Sequence, residues 1–422
     1  MKYSLLTKKF LAVALVVTVA AGVLSARANK DELKNVSSVN YDQQWLKTYY
    51  DIQPFPESVL ADAFNADLAA ITGSSYADST KWSVAEAIEA SIKASTLNEL
   101  ALTYSETKAE RRLIYYGIKG ISGIDASYLA CALDSGLISA DAYKQAKNKV
   151  TGALAAELIM HIADINGKGP NPLGFTTDDD ILGKIGSRFR TFALYQSDEL
   201  DTIGAKLVID KISTGYNLKK TADEARFLPS LTLKYGHSSE QHAKQLIALL
   251  NSEGIRARIQ IEPKTSIYEY LLEWGTPAPS SATYRVEKYN DSLYLVYATE
   301  YDMEIEFRNE ADLIRFNAVH GVYSKKNDEN QAKGSTVKLI AGAWWQPLYS
   351  ASFNPDPANY TQIADNVLYS TDGTYSLHSF STVEKSSTLI QKMKELSGRD
   401  ARPEIRYVNN AFYRYLTGTD HQ

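Results

Sequence analysis

Residues 235–262, YGHSSEQHAKQLIALLNSEGIRARIQIE, constrain the fold more than any other stretch of the chain. Ala243, Leu246, Ile247, Leu249 and Leu250 recur at three- and four-residue spacing, which lines them up along one side of a helix. Ser238 or Ser239 can cap its start, because a short hydroxyl accepts a hydrogen bond from an otherwise unpaired N–H of the first turn. Gly254 can end it, since glycine tolerates the left-handed conformation of a final turn. Ile255, Ala257, Ile259 and Ile261 then alternate with Arg256, Arg258 and Gln260, the pattern of a strand with one buried face.

The Ser239-Glu240-Gln241-His242-Ala243 run and the Gly254-Ile255-Arg256-Ala257-Arg258 run resemble the core of transglutaminase-like domains, members of the papain-like superfamily. In that family a cysteine begins the helix, a Gly-Ile pair ends it and an Ala-Arg pair opens the next strand. The resemblance implies an α+β domain with its nucleophile at position 239. Here that position is Ser239, and no histidine opens either strand after Tyr294. A cysteine serves because its thiolate is accessible near neutral pH and favoured by a helix N-terminus, whereas a serine hydroxyl needs a strong, aligned base. An ordinary amphipathic helix and strand in a core is the competing reading.

The first 28 residues carry a different signal. Lys2, Lys8 and Lys9 precede an apolar run over residues 10–24, and Ala26-Arg27-Ala28 is a small-x-small cleavage pattern. Together they predict a secretory signal peptide cut after Ala28. No later segment is apolar for long enough to span a bilayer. Export to a periplasm or beyond suits a chain with Cys131 as its one cysteine, since a lone thiol forms no intramolecular disulfide and the fold must stand on its core. A net charge of −5 over 422 residues gives no case for nucleic acid or an anionic membrane as partner.

The length predicts more than one domain. Helical spacing dominates residues 41–165, including an interior helix around Cys131 and one or two helices over 139–161 joined near Gly152. The glycine- and proline-rich stretch 166–177 is the clearest break, and helices are expected over 181–210 and 221–227. Strand-forming residues then take over at 284–289, 293–299, 303–307 and 337–343. A hairpin is expected over 361–380, turning at Asp372-Gly373, and a helix over 381–396. The expected organisation is a signal peptide (1–28), a helical domain (29–165), a linker with helices (166–228) and an α+β domain (229–422). The expected class is therefore α+β, a helical N-terminal half followed by a largely antiparallel sheet packed on helices.

Three constellations could carry function. Ser239 with His242, one helical turn on, could form a nucleophile and base, provided a more distant histidine such as His320 or His378 completes the site. His237 and His242 could hold a metal only if His237 lies outside the helix, because five residues place them about 140° apart around it; no third ligand is evident, so no metal or cofactor is expected. Trp344, Trp345, Tyr349, Tyr375 and His378 form an aromatic group that could stack on a peptide or glycan. Tyrosine, with 28 residues against 12 phenylalanines, suits such half-exposed surfaces. Two functions follow: an exported binding or structural protein with a non-catalytic transglutaminase-like domain, or an exported hydrolase or acyl-transfer enzyme using Ser239 or the histidine pair.

Overall fold

Short polar residues punctuate the first half of the chain. In the computed structural model, which describes residues 39–76, 82–147, 149–291, 293–323, 348–350 and 353–419, Ser83, Ser105, Ser139 and Thr151 each accept a hydrogen bond from the N–H three residues on. They begin four of eight helices: α1 (Val39–Tyr50), α2 (Ala61–Thr72), α3 (Val84–Ala94), α4 (Asn98–Leu102), α5 (Glu106–Tyr115), α6 (Gly123–Asp134), α7 (Ala140–Ala146) and α8 (Gly152–Ile165). These lie in one compact unit, Asp31–Pro170, and residues from Asn171 onward form a second. Helix α8 buries Leu154, Ala155, Leu158, Ile159 and Ile162. A Cβ at Gly152 would sit 2.4 Å from the Pro56 carbonyl, so only glycine fits there. Cys131 is buried in α6, and burial pushes its thiol up to about 11, which makes it an inert core residue.

The second unit contains β1 (Gly174–Phe175), α9 (Ile181–Phe189), α10 (Asp198–Ile209), β2 (Gly215–Lys220), β3 (Thr232–His237), α11 (Glu240–Ser252), β4 (Ala257–Tyr270), β5 (Tyr284–Lys288) and β6 (Tyr294–Phe307). It continues with α12 (Glu310–Tyr323), β7 (Leu348–Ser350), β8 (Tyr360–Tyr369), β9 (Tyr375–Thr382), α13 (Val383–Ser397), β10 (Arg402–Asn409) and α14 (Asn410–Leu416). Eight of its strands pair in the order β4-β2-β9-β8-β10-β7-β3-β6, and β6 returns to β4, so the antiparallel sheet closes into a barrel. Strands β1 and β5 attach outside the ring.

Two half-barrels are joined edge to edge. Because β6 runs antiparallel to both β3 and β4, β3-α11-β4 is a split βαβ unit with β6 inserted in the middle. Adding α12 and β7 gives a βαββαβ half with spatial order β7-β3-β6-β4. The order β10-β8-β9-β2 repeats it, with α13 joining β9 to β10 as α12 joins β6 to β7. The chain order of this second half is permuted, since β2 precedes the whole first half and β8 follows it.

The organising stretch behaves as its pattern demands: α11 packs Ala243, Leu246, Ile247 and Leu250 against Ala257, Ile259 and Ile261 of β4 and Met303, Ile305 and Phe307 of β6. Each large side chain buried there contributes roughly 1.5–3 kcal/mol. Gly254 closes the helix at φ +64°. Helices α10 and α13 cover the second half through Leu200, Leu207, Leu389 and Met393, set against Tyr216, Leu218, Leu368 and Leu377. Among the described residues no helix is long and apolar enough to cross a membrane.

The α+β class is confirmed, but several elements differ from expectation. The stretch expected as a linker, 166–228, is divided: 166–170 end the helical unit, and 171–228 supply β1, α9, α10 and β2 to the barrel unit. The helix expected over 181–210 breaks between Phe189 and Asp198. The helix expected over 221–227 is one 3₁₀ turn, Thr221–Asp223, followed by extended chain, because the N–H groups of Ala225 and Leu228 are taken by side-chain carboxylates instead of carbonyls one turn back. The strand expected over 337–343 lies outside the described residues.

Gly204 of α10 faces the ring of buried Tyr216, where a Cβ would come within 2.5 Å, and the Tyr216 hydroxyl is tied to Asp201 at 3.0 Å. Gly204→Ala should therefore lower stability by about 1–3 kcal/mol in chemical denaturation despite alanine's helix preference. An unchanged midpoint would show that α10 does not pack there.

Candidate functional site in the charged barrel interior

Strand alternation decides what the barrel encloses. The apolar residues of β2, β3, β4 and β6 meet the covering helices, so the intervening residues of these strands point inward, and these are largely charged. From β4 come Arg258, Gln260, Glu262 and Lys264; from β6, Glu306, Glu304 and Asp302; from β3, Lys234; from β2, Lys219. Lys219 and Lys264 stand directly opposite each other, as do Glu262 and Asp302. Like charges in those positions repel. The lysines relieve this by reaching diagonally: Lys264 meets Asp302 at 2.7 Å, and Lys219 meets Asp302 and, at 3.4 Å, Glu262. Lys234 pairs with Glu304 and Arg258 with Glu306.

These contacts set the protonation states. Burial opposes ionisation of Asp302, yet Lys219, Lys264 and Lys234 hold its carboxyl well below the usual range. Burial likewise opposes ionisation of Glu262, and Lys234 with Lys219 outweighs it. At Glu304 the balance reverses. Burial, helped by the negative charge of Glu262, exceeds the pull of Lys234 and pushes the carboxyl up to about 7.

On the other half-barrel, β9 turns Ser376 and His378 inward and β8 turns Asp365 inward. The His378 Nδ1 lies 2.9 Å from Asp365 Oδ2, and its Nε2 lies 3.0 Å from Ser376 Oγ. Arg406 of β10 stands 3.7 Å from Asp365 and pairs with Glu404 at 2.6 Å. Burial works against the Asp365 carboxylate, but His378 and Arg406 hold it down at about 2. Ser376 has 0% exposure, Asp365 3% and His378 9%, so solvent does not reach the relay in this state. The expectation that His378 joins a surface aromatic group is thus corrected. On β9 it is Tyr375 and Leu377, and not His378, that face outward.

Both ends of the interior are covered. At one, α14 sets Phe412, Tyr413 and Leu416 against Ile363, Phe380 and Val408, inward residues of β8, β9 and β10. At the other, residues 221–231 cross inward carboxylates as a strap. Ala225 N–H donates to Glu262 at 2.7 Å and Leu228 N–H to Glu306 at 2.8 Å. Asn171 steadies the strap through N–H donation to the Ala225 carbonyl, and Asp223 is held by Arg188 and by the Tyr195 hydroxyl at 2.7 Å.

Ser239 occupies the N-cap of α11, but its hydroxyl makes no capping bond. Its N–H donates to His237 Nδ1 at 2.9 Å, and its carbonyl accepts from the Tyr301 hydroxyl at 3.0 Å. With Nδ1 accepting, His237 carries its proton on Nε2, which lies 2.8 Å from His242 Nδ1. The two histidines thus serve each other, and burial lowers the His242 pKa. His237 does lie outside the helix, as a shared metal would require. Among the described residues, however, no group of three or more His, Cys, Asp or Glu side chains could hold a metal. His320 is buried, pushed down to about 4, and packs edge-on to Tyr235. His378 belongs to the Ser376 relay.

Of the aromatic group, Trp344 and Trp345 lie outside the described residues, as does the side chain of Tyr349 in β7. Tyr375 lines a shallow cleft of about 520 Å³ with Ser197, Glu199, Thr371 and Asp372. Its ring lies 6.0 Å from that of Tyr195, and the Lys220 ammonium lies within 6 Å of both.

No family model, curated protein or solved structure matches this chain.

Two stability measurements check the interior. Asp302→Asn leaves two buried lysines with a neutral partner and should cost about 3–5 kcal/mol. Glu304 has a folded pKa above its ordinary 4.5, so its contribution favours folding when protonated and falls as pH rises from about 4.5 to about 7. Glu304→Gln should accordingly gain stability relative to the parent between pH 5 and pH 8. A parallel pH dependence in the two proteins would place Glu304 in water.

Proposed function

We propose that the chain is an exported binding protein whose barrel interior takes up one small, charged or polar ligand when the strap over residues 221–231 lifts. Export rests on the basic, apolar and small-x-small pattern of the first 28 residues. One observation carries the binding reading: at least five carboxylates and five cationic side chains fill an interior that apolar residues would stabilise as well or better. Perturbed ionisable groups gather where a protein handles polar molecules. An eight-stranded barrel encloses room for its own side chains or for one small ligand. The long, flexible Lys219, Lys234 and Lys264 can trade an internal carboxylate for a ligand's, and Glu304, poised near neutrality, can accept or release the balancing proton.

The test is a thermal-shift series on the purified protein with amino acids, sugar acids, phosphate esters and polyamines. It is run beside a variant with Lys219→Met, Lys264→Met and Asp302→Leu. A concentration-dependent rise in Tm with one class, lost in the triple variant, is the expected result. If the triple variant is more stable and no compound moves the parent, the charges are structural and the binding reading falls.

A further inference from the structure

We propose that Ser376 is the nucleophile of an acyl-transfer site inside the barrel, with His378 as its base and Asp365 as the positioning residue. This rests on the reading of the interior as a ligand site and names the ligand's chemistry: a small ester with a polar or anionic acyl part. Three observations support it.

The first is geometric. Oγ, Nε2, Nδ1 and the Asp365 carboxylate form one hydrogen-bonded line with steps of 3.0 and 2.9 Å, the spacing a nucleophile, base and orienting acid require. A carboxylate on Nδ1 fixes the tautomer that leaves Nε2 free to accept the serine proton. Asp365 is held ionised by Arg406 and the imidazole.

The second is the neighbour. Register places Lys219 of β2 directly across from Ser376 on β9, with both side chains inward. Strand N–H groups are engaged in the ladder, so the ammonium of Lys219 is the donor available to a developing oxyanion. The third is the cover. The strap is fixed through the N–H groups of Ala225 and Leu228 on Glu262 and Glu306, and Glu224 of the strap itself is half-buried, its carboxyl raised by burial and by Glu262. Lifting that segment breaks these bonds and those of Asn171, Arg188 and Tyr195, exposes Ala225, Phe227 and Leu228, and leaves the eight-stranded ring whole.

In the step itself, Ser376 Oγ bonds to the ester carbonyl carbon while its proton passes to His378 Nε2 and the carbonyl electrons move to oxygen beside Lys219. The carbon–alkoxy bond then breaks, and the alcohol leaves with the proton from His378. Water repeats the sequence on the acyl-serine and releases the acid.

The experiment treats the purified protein with a small alkyl fluorophosphonate, which bonds the serine oxygen and expels fluoride. The adduct is read by intact mass and peptide mapping, and deuterium exchange at the Ala225 and Leu228 amides reports strap opening. One adduct at Ser376 is expected, absent in Ser376→Ala and formed roughly 10²-fold or more slowly in His378→Gln. Asp365→Asn should slow it and displace its pH profile, which a merely structural role would not do. Because variants of a buried relay can unfold, the parent protein decides on its own. Exchange at both amides with no Ser376 adduct overturns the nucleophile and leaves the binding reading standing. Neither exchange nor adduct overturns both, and an adduct formed equally fast in folded His378→Gln overturns the role of the base.

Discussion

The carboxylate of Asp302, shared by the ammonium groups of Lys219 and Lys264, holds together an arrangement that alternation would otherwise make untenable. Once eight strands close on themselves and the helices claim the outer face, every second residue is withdrawn from water. An unpaired charge there would cost several kcal/mol. Diagonal pairing across β2, β4 and β6 removes the repulsion between facing like charges and ties three strands together by side chains as well as by the ladder. Lys234 and Glu304, like Arg258 and Glu306, need no diagonal because opposite charges face each other directly, and Asp365 sits between His378 and Arg406.

That inversion, oily outside under helices and charged within, explains which parts of the fold the sequence made legible. Helix α11 and the start of β4 are plain because the residues they turn toward each other, Leu246, Leu250, Ile259 and Ile261, are apolar and evenly spaced. The hairpin of β8 and β9 was plain because Asp372-Gly373 marks its turn, with Gly373 at φ +71°. Strand β2 was hidden because Asn217 and Lys219, its inward residues, look like solvent-facing ones. The strap looked helical because nothing local shows that Glu262 and Glu306, some 37 and 78 residues on, would take its N–H groups. The two-fold relation of the half-barrels left no sequence period, since β2 and β8 are separated by the entire first half.

The site followed the same rule. A serine beside histidines drew the eye to Ser239, yet the bond that forms there is from its backbone N–H. The serine that does meet an imidazole is Ser376, two residues from His378 on one strand, and the carboxylate that completes the line comes from β8. Period-two spacing on β9 was the available signal. His378 is legible as a candidate, but nothing local to β9 shows that its side of the strand is the charged inner face. Of the three constellations weighed from sequence, the histidine pair is close in space but satisfied internally, and Tyr375 alone of the aromatic group is described at a surface cleft.

Lys219 and Lys264 are sealed from water within the ring. Proton–nitrogen correlation spectroscopy of the lysine ammonium groups at pH 8 tests it most directly, because surface ammonium protons exchange with water too fast to be seen under those conditions. Separate, slowly exchanging ammonium signals that disappear on Lys219→Met and Lys264→Met are expected. A spectrum in which no lysine differs from the surface population would contradict it.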